Sequence, residues 1–339
     1  MDALMDTGHA ADAGPIPDVA IPVLTADPFT LGVASGDPLD TAVILWTRLA
    51  PKPLQGGGMP NEPAPVLWEV ALDPEFHALV QAGYSVAVPD LAHSVHVDVQ
   101  GLEPNTWYWY RFTIGSYTSP TGRTRTLPSA GSSVDELNIA VASCQSWKDG
   151  YYTAYQNMQN ESLDLVFFLG DYIYESSVSG AVRDHNSGTI YSLDDYRNRY
   201  GLYKGDDHLQ AVHALFPWIV TWDDHEVANN YAGDVADQNI PIPFLQRRAN
   251  AYQAYYEHMP IRATPPEGAD FGIYRSFRFG TLASFLVLDG RQYRTDQPCG
   301  DQVGSLACDE QQDPTQQMLG EGQEAWLFNR LAQSDTVWN

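Results

Sequence analysis

An N-terminal all-β sandwich followed by an α/β unit is the fold class this sequence predicts, and three observations carry the prediction. Between Phe29 and Ile114 short apolar segments recur at close spacing, some with strict two-residue alternation, and turn residues separate them. Beyond Asp135 the period changes and apolar runs alternate with helical patterns. Two of those runs, Leu165–Leu169 and Pro217–Thr221, are continuous, as in strands buried on both faces of a parallel sheet.

In the first unit, GDP-x-D turn chemistry at Gly36–Asp40 leads into a strand over Ala42–Trp46, and a Gly/Pro-rich loop covers Pro51–Pro65. Val66–Leu72 and Ser94–Val99 read as strands, the latter alternating Val95, Val97 and Val99 with Ser94, His96 and Asp98. Thr106–Ile114 sets Tyr108, Tyr110 and Phe112 against Trp107, Trp109 and Arg111. His93 and His96 read as ordinary strand residues, because no Cys or third His joins them at ligand spacing. Thr124–Asp135 is a linker by composition.

In the second unit, a strand at Leu137–Ala142, a helix at Tyr151–Asn160 and the strand at Leu165–Leu169 make a βαβ unit. A polar loop, Ser176–Gly188, leads to helical segments at Leu193–Tyr200 and Ala211–Phe216, and then to the strand at Pro217–Thr221. Pro243–His258 is an amphipathic helix. Tyr274–Phe279 and Ala283–Leu288 form a hairpin, Glu321–Ala332 a last helix, and Thr336–Trp338 can open another strand.

With 339 residues there is room for two domains, and 44% hydrophobic content belongs to a globular chain. The net charge of −25 disfavours phosphate-mediated nucleic-acid binding and adsorption to anionic membranes. An anionic substrate would need something locally positive, and metal ions supply it. Solubility or salt adaptation accounts for the surface charge equally well. No run of 18 apolar residues exists, so no membrane span is expected. The first 26 residues show no basic n-region and no apolar core, so no secretory leader is readable. Cys299 and Cys308 make a plausible disulfide in an exported protein, which leaves Cys144 as a thiol needing its own explanation.

Chemistry gathers where the second unit's strands stop. The first ends in Ser143-Cys144-Gln145, the second at Gly170 with Asp171 and Tyr174 beyond it, and the third in Trp222-Asp223-Asp224-His225-Glu226. Open α/β sheets bind ligands beyond the carboxyl ends of their strands. A thiolate, carboxylates, a phenolate and an imidazole converging there form a metal-ligand inventory. Two neighbouring cations could share one carboxylate, clamp a phosphoryl group and activate water. The bland alternatives are a capping role for Asp223 and Asp224, a satisfied buried His225 and a small apolar Cys144. A serine hydrolase is excluded by the want of a GxSxG elbow.

SCQ, GDYIYE and PWIVTWDDHEVANNYAG resemble the PhoD-type alkaline phosphatases of the metallophosphoesterase superfamily. GVASGDPLDTAVILWTRLAP, LDDYRNRYGLY, RRANAYQAYYEHMP, LDGRQYRTDQPC and MLGEGQEAWL resemble the same family, so the likeness runs from about Phe29 to the last residue. It implies a fibronectin-like sandwich over residues 27–129 and a two-sheet αββα calcineurin-like metallophosphoesterase domain over 136–339. It also implies hydrolysis of small phosphate mono- and diesters with Fe3+ and Ca2+ as cofactors, in the periplasm or outside the cell. Cys144 and Tyr174 resemble the family's iron ligands, and Asp171 its bridging carboxylate. Asp224, with Asp223 and Asn230 as further candidates, falls where the calcium set is expected; spacing leaves open which of the two Asp residues binds. His225 would face the phosphoryl oxygens or the leaving group, and Asp289 with Arg291 matches a strand-end motif at the rim. Gly290 stands where the family usually has Thr.

One departure bears on activity. Metallophosphoesterase sites are completed by late histidine motifs such as GDxH, and the last histidine here is His258. The expectation is therefore a C-terminally incomplete piece that binds metal poorly and turns over little by itself. The competing class is a non-catalytic binding or surface protein.

Overall fold

A computed structural model of the chain describes residues 14–176, 180–236, 241–300 and 308–339. The start of the N-terminal stretch, part of the Ser176–Gly188 loop and most of the segment between Cys299 and Cys308 lie outside the described residues. Strands in chain order are β1 Val33–Gly36, β2 Ala42–Arg48, β3 Ala64–Ala71, β4 Leu79–Ala87, β5 Ser94–Gln100, β6 Trp107–Ile114, β7 Tyr117–Thr118 and β8 Gly122–Arg125. They continue as β9 Ile139–Ala142, β10 Leu165–Phe168, β11 Pro217–Val220, β12 Arg275–Phe279 and β13 Ala283–Val287. The helices are α1 Thr153–Met158, α2 Leu193–Lys204, α3 Asp207–Leu215, α4 Phe244–His258 and α5 Gly320–Gln333.

The N-terminal strands form two facing layers. One is β4-β3-β6-β7 with β8 on β6, and the other is β5-β2-β1. Val66, Val70, Tyr108, Tyr110 and Phe112 meet Val43, Leu45, Val95, Val97 and Val99 between them. The outward residues of β6 are held by surface chemistry, with Arg111 paired to Glu69 at 2.7 Å and the Arg123 guanidinium 3.5 Å from the Trp107 ring centroid.

The second layer does not end at β1. β1 pairs in parallel with β11, so the six-stranded order β5-β2-β1-β11-β10-β9 carries one sheet from the sandwich into the α/β unit. The sequence reading treated these as separate sheets. Gly36 makes the junction possible: a Cβ there would lie 2.2 Å from the Pro260 carbonyl oxygen and 2.7 Å from that of Trp218. Asp37, fully buried, then accepts from Arg275 at 2.7 Å and from the Arg262 backbone N–H at 2.7 Å. The GDP turn is therefore a clamp between units. The expected linker at Thr124–Asp135 also begins later, since Arg125 still belongs to β8 and Thr126 bonds to the Thr106 carbonyl. His93 precedes β5, binding the Glu62 carbonyl, while His96 lies in it, stacked on Tyr256.

β10 takes four residues of the predicted run Leu165–Leu169, all buried, while Leu169 lies past the strand and is exposed. Val166 and Phe168 face a tyrosine-rich core under the helices, with Trp218, Tyr172, Tyr196, Tyr200 and Tyr252. Leu165, Phe167 and Ile219 face the opposite way, onto the β12–β13 hairpin. The helices start where capping chemistry sits: Ser192 and Asp195 form a reciprocal capping box on α2, and Asp206 accepts two backbone N–H groups of α3.

Candidate metal centre

β9, β10 and β11 run parallel as neighbours, so their carboxyl ends share one edge. Cys144, Asp171 and Asp223-Asp224-His225 follow those ends directly. The Cys144 N–H bonds to the Gly170 carbonyl at 3.0 Å and the Gln145 N–H to the Asp171 carbonyl at 3.1 Å, which sets the first turn against the second. Gly170, at φ 110°, lets the third approach: a Cβ there would lie 2.3 Å from the Asp223 nitrogen. Cys144, Asp171 and Asn230 hold left-handed backbone at φ 53°, 57° and 57°. Non-glycine residues adopt that conformation sparingly, and it concentrates at functional sites.

Asp171, Asp224 and His225 bring ligand atoms within 4.8 Å of one another. Asp171 is buried; its Oδ2 accepts the Tyr174 hydroxyl at 3.1 Å, and its Oδ1 is buried with no hydrogen-bond partner among the described residues. A buried carboxylate oxygen left so is costly unless a cation takes it. Burial pushes the Asp171 carboxyl up; His225 opposes this, and the neighbouring Asp224 and Asp223 add to it. Burial, then the Asp171 and Cys144 charges, push the Tyr174 phenol up. Cys144 is exposed and stands outside that close group; partial desolvation raises its thiol, Ser143 opposes, and Asp171 raises it again. Each of these groups would ionise more readily beside a cation.

The other expected residues are placed less directly. Asp223 turns outward, outside the close group, and its Oδ1 accepts Arg291 Nε at 2.5 Å. Asn230 joins through its backbone, donating N–H to Asp224 Oδ2 at 2.6 Å. Neither Asp caps a regular helix; Asp224 opens a turn in which the Val227 and Ala228 N–H groups bond to its carbonyl. Asp289 is wholly buried, with Oδ1 accepting from Trp222 Nε1 and from the backbone of Arg291 and Gln292 at 2.9 Å each, so it shapes the rim.

The profile for PhoD-like phosphatase matches residues 139–339, and that for the N-terminal domain of PhoD-like phosphatases matches residues 19–128. The chain belongs to the PhoD-like phosphatase family. Alkaline phosphatase D of Bacillus subtilis (strain 168) is 54% identical over 328 residues, which are 94% of this chain and 56% of that protein. A solved structure described as that of PhoD aligns at a TM-score of 0.90 and 54% identity, over 94% of this chain and 62% of the other. This PhoD-like chain thus spans a little over half the length of the relatives it matches.

Three residues of this PhoD-like site were not singled out from sequence in the roles they hold. Glu175 receives His225 Nδ1 at 2.7 Å on one oxygen and the Asn229 N–H at 3.0 Å on the other. Burial alone would lower the His225 imidazole, but Glu175, helped by Asp224 and Asp171, outweighs it and holds His225 up at about 9. Glu226 ties the second and third turns together from below, and Arg291 reaches into the edge rather than standing at its rim. Glu175 and Glu226 each close a motif already read as functional, which was the available signal. Among the described residues, no helix is long and apolar enough to cross a membrane.

Proposed function

We propose that this edge is the metal centre of a phosphatase that hydrolyses small phosphate mono- and diesters with water as the nucleophile. One observation carries the reading: Asp171 presents a buried, unpartnered oxygen in a group with Asp224 and His225 that spans less than 4.8 Å. The family likeness supplies the chemistry class, since the relative is named for alkaline phosphatase activity. The donor set fits two different cations. Cys144, Tyr174 and Asp171 offer sulfur, phenol and carboxylate to an iron(III), while Asp171, Asp224, Asp223 and Asn230 offer the oxygen ligands that calcium favours.

Bound cations would supply Lewis acidity and a water acidic enough to attack at moderate pH. The chain's own residues do the positioning. Glu175 fixes the His225 ring through Nδ1, which leaves Nε2 to face the ester, and the Tyr174 ring packs on that imidazole at 4.3 Å between centroids. With Nδ1 engaged by Glu175, Nε2 is the atom placed to donate to the departing oxygen. Arg291 is the guanidinium nearest the acidic pair.

The same reading extends to architecture and location. The β12–β13 hairpin, with Phe285 packed 4.7 Å from Phe167, represents the second sheet of an αββα metallophosphoesterase domain. The Cys299–Cys308 disulfide supports a periplasmic or secreted setting.

The test is reconstitution. The purified chain, loaded with iron and calcium, is assayed for metal content, for a visible tyrosinate-to-iron band and for nitrophenyl phosphate hydrolysis, beside a longer form of the protein. The band should vanish in Y174F and hydrolysis in D171N. Full hydrolysis by D171N, or retention of neither metal, defeats the reading.

A further inference from the structure

The two halves of the acidic edge differ in how their oxygens are used. Asp171 has one buried oxygen with no hydrogen-bond partner among the described residues, whereas each oxygen of Asp224 accepts a hydrogen bond, Oδ2 from the Asn230 N–H at 2.6 Å and Oδ1 from an Arg291 nitrogen at 3.2 Å. The same guanidinium holds Asp223 Oδ1 through Nε at 2.5 Å. It is a fork laid across adjacent carboxylates, in the place a hard divalent cation would take.

Arg291 is well mounted for this. Its N–H and that of Gln292 bond to Asp289 Oδ1, its carbonyl accepts the Gly233 N–H, and Asp289 is pinned by Trp222 and Gln323. The backbone is thus fixed while the side chain extends 13% exposed over the pair. The Asp224 and Asp223 charges both act against ionised Asp171, and a like-charge cluster of this kind is steadied by a counter-ion. A guanidinium is more weakly hydrated than an ammonium, so it sits across a partly buried acidic pair at a lower desolvation cost.

We propose that Arg291 is a resident counter-cation, which holds Asp223 and Asp224 together in the metal-free chain and must be displaced before a divalent cation takes their oxygens. The inference rests on reading this edge as a metal centre.

Calcium titration by calorimetry on the wild type, R291M and R291K decides it, with circular dichroism confirming the fold of each. Removing the fork should tighten calcium binding about tenfold or more, a change of about 1.4 kcal/mol. R291K keeps the charge but loses the fork, and should show a smaller gain. In the wild type the Arg291 Nε–H resonance should shift on calcium saturation. Unchanged or weaker binding by R291M overturns the proposal, as does a gain in R291M with none in R291K, which would be a field effect alone. Should a variant fail to fold, the wild-type resonance decides, and its indifference to bound calcium overturns the displacement. No calcium binding by any form overturns the metal-centre reading and this proposal together; binding with the wrong ranking overturns the proposal alone.

Discussion

The fully buried carboxylate of Glu226 accepts the backbone N–H of Tyr172 at 2.5 Å. Its other oxygen takes the N–H of Asp223 at 2.9 Å. Tyr172 is the residue after Asp171 and Asp223 the residue before Asp224, so one side chain sets the spacing of the two central carboxylates. Burial, and then the nearby Asp171 charge, push Glu226 up to about 8. A cation on Asp171 would relieve the second of those causes.

Glu226→Ala should strip two N–H groups of their acceptor at once, the buried one of Tyr172 and the part-buried one of Asp223. An orphaned buried donor costs about 1–3 kcal/mol, so the Tyr172 N–H alone should cost about that much in urea unfolding. Metal affinity should fall as well, because the carboxylate spacing loosens. Wild-type stability in the variant would show that the tie is idle.

Gly170→Ala places a methyl where the Asp223 nitrogen and Cβ stand, at 2.3 and 2.6 Å, on backbone of φ 110°. The turn after β11 must move away. We expect a folded but destabilised chain, and on the proposed metal-centre reading its metal retention collapses, read by metal analysis after gel filtration. Undiminished retention would falsify the placement of the two turns.

Replacing Glu175 by Gln removes the charge that holds His225 up at about 9. Burial is then opposed only by Asp224 and Asp171, and the imidazole should fall toward or below the ordinary 6.5. Histidine ring resonances of the metal-free chain followed through pH measure this without catalysis. A folded-state value raised above the unfolded one makes the Glu175–His225 pair stabilising below pH 6.5, with that contribution lost as pH rises through about 9.

Lys204 supplies the opposite sign. It ends α2 buried, its Nζ 4.2 Å from the Trp46 ring centroid, and burial lowers it from 10.5 to about 7. The unfolded chain therefore binds the extra proton between those values, and stability rises with pH across the window. Relative to Lys204→Met, the wild type should gain on the order of 4–5 kcal/mol between pH 7 and 10.5. Parallel stability–pH curves for the two proteins would show that Lys204 is not neutral in the fold.

Most of the chain's strands and helices were legible because they are local properties. The continuous runs at Leu165–Leu169 and Pro217–Thr221 read as buried strands, and a polar cluster just beyond such strands is read from adjacent residues alone. Cys144, Asp171, Tyr174, Asp224 and His225 could all be named in this way. α3 and β4 were read partly or missed, since Asp207–Leu215 carries two histidines and a mixed pattern, and Leu79–Ala87 includes a glycine.

What tertiary structure alone decided is which distant residues meet. That β1 adds to β11 follows from a bare Gly36 against Pro260 and Trp218. That Glu175 grips His225, 50 residues away, and that Arg291 spans 68 residues to Asp223, follows from sheet order and from the angle of the turn after β13. Side-chain period and motif spacing determine which face a residue shows and what chemistry it offers. They carry no information about which strand lies beside which, so the partner of each charge had to come from the folded chain.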